Sequence, residues 1–304
     1  MASMMAVLVA EAEAEANAVV FGMPHEEYLN GPGLSRSELV RLLDKSPYHV
    51  HELERDDPNR PPGPEPTPAM FAGTLLHCAL LEPDQFLKRY AVGPVVSTRA
   101  AVAWKEFVKA HPGRECITPL QAEIAHRQAE ALRMTPMGDS ADDGTLGDLL
   151  SDASCEASAY WRDVATGLLC KCRPDAAVTV GDADTLGDVL IDIKTTASAK
   201  PDEFNRSVTS YGYDVQAAFY STGWAKATGR PVHSFIFACV ESEYPHATAL
   251  YTLPDEWIAY GWQRFCQALD LYAECQRRGV WPGYGIGVLQ LAPPRWHPLT
   301  RTMR

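Results

Sequence analysis

Between Arg173 and Lys194 the chain reads Arg173-Pro174-Asp175, then sixteen residues, then Asp192-Ile193-Lys194. The run Val189-Leu190-Ile191-Asp192-Ile193-Lys194 is β-branched and apolar apart from two charges, which predicts a strand. Strand alternation sends Asp192 and Lys194 to one face and Ile191 and Ile193 into a core on the other. Upstream, Leu168 to Asp175 reads as a second strand, with Lys171, Arg173 and Asp175 on one side and Cys170 and Cys172 on the other. Thr185-Leu186-Gly187-Asp188 has turn chemistry. A hairpin across it would set Asp175 beside Asp192 and Lys194.

Two carboxylates and an ammonium at one strand end form a hard-oxygen site with a built-in cation. Mg²⁺ or Mn²⁺ suits such a site, keeps several waters and completes its shell with substrate phosphate. Such an ion polarises phosphoryl oxygens and acidifies a water, and a lysine beside it offsets developing negative charge. Taken alone, an Asp-x-Lys pair on a strand is an ordinary solvated pair. Its weight comes from what accompanies it.

Met70 to Leu81 is apolar nearly all round and predicts a buried helix whose one ionisable residue is His77. Its ordinary role is a hydrogen-bonded core histidine; its functional role is a metal or phosphate contact. Cys155 to Arg162 alternates like a strand and offers Glu156 as a third carboxylate. Tyr211 to Thr228 predicts one helix on which Gln216 and Tyr220, at i and i+4, share a face. They are candidates to orient a water or a phosphate; plain packing is the alternative. Lys171 and Arg173, on the face of Asp175, are candidates to touch a nucleic-acid backbone.

The remaining chain frames these segments. Residues 1–33 are expected to be a poorly ordered tail and extended entry segment, 34–279 one domain, and 280–304 a C-terminal tail. Ser35-Arg36-Ser37-Glu38 reads as a capping box opening a short helix. Asp56 to Ala69 holds six prolines and predicts a loop. Helices are expected over 99–111, 119–134 and 255–278, the last capped by Gly279. A loop is expected from Thr196 to Phe204, and a strand hairpin over 233–240 and 247–253.

Composition bounds the function classes. The 304 residues are 46% hydrophobic and 22% charged, ordinary for a globular protein. No apolar run approaches the roughly 20 residues of a membrane span. The N-terminus lacks the basic start of a signal peptide, so a cytoplasmic location is expected. The eight cysteines contain no CxxC pair, which argues against a structural zinc site. The net charge of −12 argues against a sequence-independent DNA coat, but it is uneven, −9 over residues 1–150 and −3 over 151–304. A local basic strip with a metal remains open to an acidic enzyme. No P-loop occurs.

In order, the chain thus carries Gly73-x-x-x-His77, Glu156, Pro174-Asp175, Asp192-Ile193-Lys194 and Gln216-x-x-x-Tyr220. This order resembles the PD-(D/E)xK nuclease superfamily and, within it, the RecE-type, exonuclease VIII-like domains of phages and prophages. The strings Leu34-Ser35-Arg36-Ser37, Phe71 to His77, Ile191 to Thr196 and Tyr211 to Tyr220 are similar to that branch. The resemblance covers about residues 28–275. It implies an α/β fold with a restriction-endonuclease-like core, a mixed central sheet flanked by helices. It implies an Mg²⁺-dependent exodeoxyribonuclease acting on linear double-stranded DNA, 5′ to 3′, in a bacterial host. By resemblance, Asp175 and Asp192 would ligate the metal and Lys194 would position the water. His77 and Glu156 would support the site, and Gln216 and Tyr220 would order substrate. Implied partners are DNA ends, a RecT-type single-strand annealing protein and further copies of the chain in a ring. A structure-specific or defence endonuclease of the same superfamily and a non-catalytic DNA-binding relative are the rivals.

Overall fold

Among the residues described in a computed structural model, 17–54, 65–285 and 287–294, ten strands form three sheets. The strands are β1 (Asn17–Val20), β2 (Tyr90–Val92), β3 (Glu115–Ile117), β4 (Ser154–Cys155), β5 (Ser158–Arg162), β6 (Leu169–Cys172), β7 (Ala176–Val180), β8 (Gly187–Thr196), β9 (Val232–Glu241) and β10 (Thr248–Tyr251). The main sheet runs β10-β9-β8-β7-β4. A second sheet runs β1-β5-β6, and β2 pairs with β3. The main sheet is mixed: β8 and β9 are parallel and its other pairs antiparallel.

Eleven α-helices accompany the described strands: α1 (His25–Asn30), α2 (Arg36–Asp44), α3 (Pro47–Glu54), α4 (Pro68–Leu81), α5 (Pro83–Arg89), α6 (Val102–Ala110), α7 (Pro119–Arg133), α8 (Leu146–Leu150), α9 (Pro201–Tyr211), α10 (Tyr213–Thr228) and α11 (Asp255–Arg278). The main sheet is covered on both faces, as a parallel β8/β9 pair requires. Ile191, Ile193, Ile236, Ala238 and Val240 pack with α4 and α7. Leu190, Phe235, Phe237 and Cys239 pack on the other face with α9, α10 and α11. The mixed sheet flanked by helices is the expected fold class.

Helix α10 is buried nearly all round because it also meets the second sheet: Phe219 packs against Trp161 of β5, ring centres 4.7 Å apart and planes tilted by 55°. A Cβ on Gly223 would come within 2.2 Å of that indole, so only glycine allows the approach. Each of these buried rings contributes on the order of 2 kcal/mol relative to exposure.

Several boundaries differ from the sequence expectation, each for a physical reason. The strand expected over 168–175 is two strands in two sheets. Pro174, which has no N–H to give a ladder, stands where the chain leaves β6 for β7. The hairpin beside β8 is therefore β7–β8 alone. The strand expected over 155–162 breaks at Glu156, whose φ of 52° is left-handed, and divides between β4 and β5. The expected loop before Phe204 holds over 197–200 and then gives way to α9, opened by Pro201 at its first position and Asp202 and Glu203 in its first turn. The single helix expected over 211–228 starts anew after Gly212, whose φ of 63° ends α9 and precedes α10.

Residues 17–30, expected as tail and entry segment, form β1 and α1, with β1 pairing to β5. Within the expected C-terminal tail, Trp281 stacks at 4.7 Å on His51 of α3. Residues 1–16, most of the proline-rich loop and residues 295–304 lie outside the described residues. No helix among those described is long and apolar enough to cross a membrane.

Candidate active site

The chain passes between the main and second sheets twice, side by side, at Glu156–Ala157 and at Arg173–Asp175. The Glu156 N–H donates to the Asp175 carbonyl at 3.0 Å, tying the crossings together. Here lies an open cleft of about 1080 Å³, lined by His77, Glu156, Arg173, Asp175, Asp192, Lys194, Gln216 and Tyr220. Of the nine candidate residues, only Lys171 is not in it.

Asp175 follows Pro174 and points back over β8. Its Oδ2 accepts the Ile193 N–H at 2.6 Å, and its Oδ1 lies 3.5 Å from His77 Nδ1. His77 reaches in from α4, and its Nε2 contacts the Ile193 carbonyl at 3.3 Å. That contact needs an N–H, so in the neutral imidazole the Nδ1 lone pair faces the carboxylates, the arrangement of a metal-ligating histidine held by an outer hydrogen bond. His77, Glu156 and Asp175 each offer one donor atom within 4.8 Å of the others.

Asp192 stands beside this group and is 4% exposed. Its Oδ1 accepts from Gln216 Nε2 at 2.5 Å, and its Oδ2 lies 2.5 Å from Lys194 Nζ. The latter is a contact of charges; Oδ2 is buried without an aligned hydrogen bond. The Gln216 Oε1 accepts from Lys194 Nζ at 3.2 Å, so one amide spans both charges. The Lys194 ammonium also lies 4.5 Å from the Tyr213 ring centre, at cation–π range.

Electrostatics follow from crowding. Burial, then Asp192 and Glu156, push Asp175 up to about 7 against the opposing pull of His77 and Lys194. Burial would lower Lys194, but Asp192, Tyr213 and Asp175 outweigh it and hold the ammonium above its ordinary value. It is thus a fixed cation, not a base. Burial and the nearby Asp192 raise the Tyr220 hydroxyl, which stays protonated and able to donate. Two carboxylates and an imidazole lone pair, with the Asp192 carboxylate beside them, fit a hard divalent cation, which would relieve the crowding at Asp175.

Lys171 corrects its expectation. It is 3% exposed, and its Nζ donates to the carbonyls of Tyr28, at 2.9 Å, Leu29, at 3.3 Å, and Gly31, at 2.5 Å, capping the end of α1. It is not placed to touch DNA. The fold instead brings unanticipated residues to the cleft, among them His25, Tyr28 and Arg36. Burial lowers the His25 pKa, helped by Arg173 and His77 and opposed by Glu156. A histidine just after Pro24 gave no local signal; Arg36 stood in the Leu-Ser-Arg-Ser string.

Residues 35–288 match the family model described as a PDDEXK-like domain of unknown function (DUF3799). The chain belongs to this family. No curated protein sequence matches the chain. Among solved structures, this PDDEXK-like domain is similar to a candidate exonuclease from Eubacterium rectale, at 12% identity and a TM-score of 0.53, over 94% of each chain. SSO0001 is similar at 15% identity over 64% of this chain and 85% of its own, with a TM-score of 0.25. The PD-(D/E)xK assignment made from the motif order is thereby established, and with it the nuclease-type fold.

Proposed function

We propose that the protein is a divalent-metal-dependent exodeoxyribonuclease of the RecE type, which degrades linear double-stranded DNA 5′ to 3′ and leaves single strands for annealing. The observation that carries this is the convergence of His77, Glu156, Asp175, Asp192 and Lys194 in one cleft. The fold shared with the candidate exonuclease from Eubacterium rectale favours the end-directed reading over an internal cut.

His77, Glu156, Asp175 and Asp192 would hold Mg²⁺ or Mn²⁺, which supplies Lewis acidity at the scissile phosphate and an acidified water. Lys194, kept cationic, aligns that water and offsets charge on the phosphoryl oxygens. Gln216 fixes the Asp192–Lys194 geometry, and Tyr220 donates to a substrate or water oxygen. Arg173 contacts the DNA backbone. In a bacterial cytoplasm, a RecT-type annealing protein would receive the single strand, and a ring of copies would keep the enzyme on its duplex.

The test is digestion of a linear duplex labelled at one 5′ end, beside a covalently closed circle, with Mg²⁺ or with EDTA. Metal-dependent loss of the linear DNA alone, with the 5′ label released first, is expected. Asp192→Asn and Lys194→Ala should each abolish that loss while remaining folded. Cutting of the circle would point to an endonuclease of the superfamily, and cleavage of neither substrate to a binding protein.

A further inference from the structure

The Arg173 guanidinium serves two directions. Its Nε donates to Glu156 Oε2 at 2.7 Å, and its Nη1 to Ser158 Oγ at 3.4 Å. Nη2 takes no acceptor among the described residues, and the side chain lines the cleft although only 8% of it is exposed. The plane is held from one side by the Tyr28 ring, 5.6 Å away, and Tyr28 is itself held by Lys171 at 5.2 Å. The group is thus pre-organised, with one edge on a member of the metal cluster and one nitrogen left without an acceptor among the described residues in the wall of the cleft.

We propose that Arg173 couples metal binding to DNA binding: Nε aims the Glu156 carboxylate at the cation while Nη2 takes a phosphodiester oxygen. This rests on the nuclease reading above. A metal that draws on Glu156 leaves the guanidinium with more unspent charge for phosphate, and a phosphate on Nη2 fixes the guanidinium that aims Glu156. By linkage, each ligand then raises the affinity for the other by the same factor. A lysine keeps the charge but lacks the planar fork and cannot serve both partners at once.

The experiment uses Ca²⁺ as a probe that supports binding without turnover, and a short 5′-phosphorylated duplex. Anisotropy gives DNA affinity with Ca²⁺ and with EDTA, and calorimetry gives Ca²⁺ affinity without DNA, for the wild type, Arg173→Lys, Arg173→Gln and Glu156→Gln. Ca²⁺ should tighten wild-type DNA binding by about tenfold or more. That ratio should fall by about fivefold in Arg173→Lys and in Glu156→Gln, and the double variant should lose no more than either single one. A merely structural arginine would lower each affinity separately and leave the ratio alone. A ratio in the folded Arg173 variants within about twofold of wild type overturns the coupling. Should Arg173→Lys fail to fold, Arg173→Gln, which leaves every metal donor in place, decides the question. A wild type that binds no DNA with either Ca²⁺ or EDTA sinks the nuclease reading as well, and so separates the two failures.

Discussion

The carboxylate of Asp175 accepts the backbone N–H of Ile193, at 2.6 Å. Ile193 lies between Asp192 and Lys194, so the strand entering at Asp175 is fastened to the one bearing the other two charges at the midpoint between them. Substitutions at the fastenings should therefore separate catalysis, metal binding and stability.

Gln216→Leu removes the donor to Asp192 and the acceptor of Lys194 in one step. A buried carboxylate and a part-buried ammonium left short of partners should cost about 1–3 kcal/mol, read from urea unfolding. The turnover number should fall about 10–100-fold, the usual loss for a residue that orients a metal site from behind, with little change in KM. A variant with wild-type turnover would remove Gln216 from the site.

Asp175 gives a pH signature in the metal-free protein. Its folded value near 7 exceeds the ordinary 3.8, because burial and carboxylate neighbours favour the neutral acid. Between those values the folded protein holds more protons than the unfolded chain, so this contribution to stability falls as pH rises. It is complete below the unfolded value and gone above the folded one. In EDTA the wild-type urea midpoint should therefore drop between about pH 5 and about pH 8, and drop less in Asp175→Asn, the difference being on the order of 2 kcal/mol. Mn²⁺ should restore the wild type at the upper end. Parallel pH curves for the two proteins would refute the assignment.

Lys171→Met tests the capping role against a DNA contact. Three carbonyls at the end of α1 lose their donor, which should destabilise the fold by about 3 kcal/mol, measured by denaturant titration. The salt dependence of DNA binding should stay as in the wild type. For Arg173→Gln that slope should weaken by about one unit, the loss of one phosphate contact.

Gly261→Ala acts from a distance. The new Cβ would sit 2.2 Å from the Asp214 carbonyl oxygen and 2.9 Å from the Val215 nitrogen, so α10 and α11 must part. Overpacking of this kind costs about 1–3 kcal/mol. Because α10 carries Gln216, kcat should drop with the melting temperature, whereas Gly283→Ala, where a Cβ meets nothing within 4 Å, should change neither.

What the sequence made legible is what local chemistry decides. The alternation of Ile191, Asp192, Ile193 and Lys194 placed two apolar and two charged side chains on the correct faces of β8. The Ser35–Glu38 capping box opened α2, and the apolar run after Met70 became α4. The candidate site was legible because its residues fall at strand ends and on one helix face. What escaped was settled far along the chain. Nothing near Lys171 announces that its partners are carbonyls about 140 residues away, and alternation cannot say that successive strands belong to different sheets. The split of the Tyr211–Thr228 helix hinged on Gly212, and α9 opens at Pro201 to Glu203, inside a segment expected as loop.

The twin crossings at Glu156 and Arg173–Asp175 make the cleft a joint as well as a site. Asp192 and Lys194 stay with the main sheet. Glu156 and the arginine that aims it sit on the peptides leading to the second. Were the second sheet to peel away, the chain would keep a folded half carrying the Lys194 ammonium, Asp192 and the Asp175 carboxylate fastened to Ile193, with the third acid, Glu156, swung out of register. Loss of function by this route would precede global unfolding, and a protease able to nick the turn around Gly167 would disarm the molecule without melting its core.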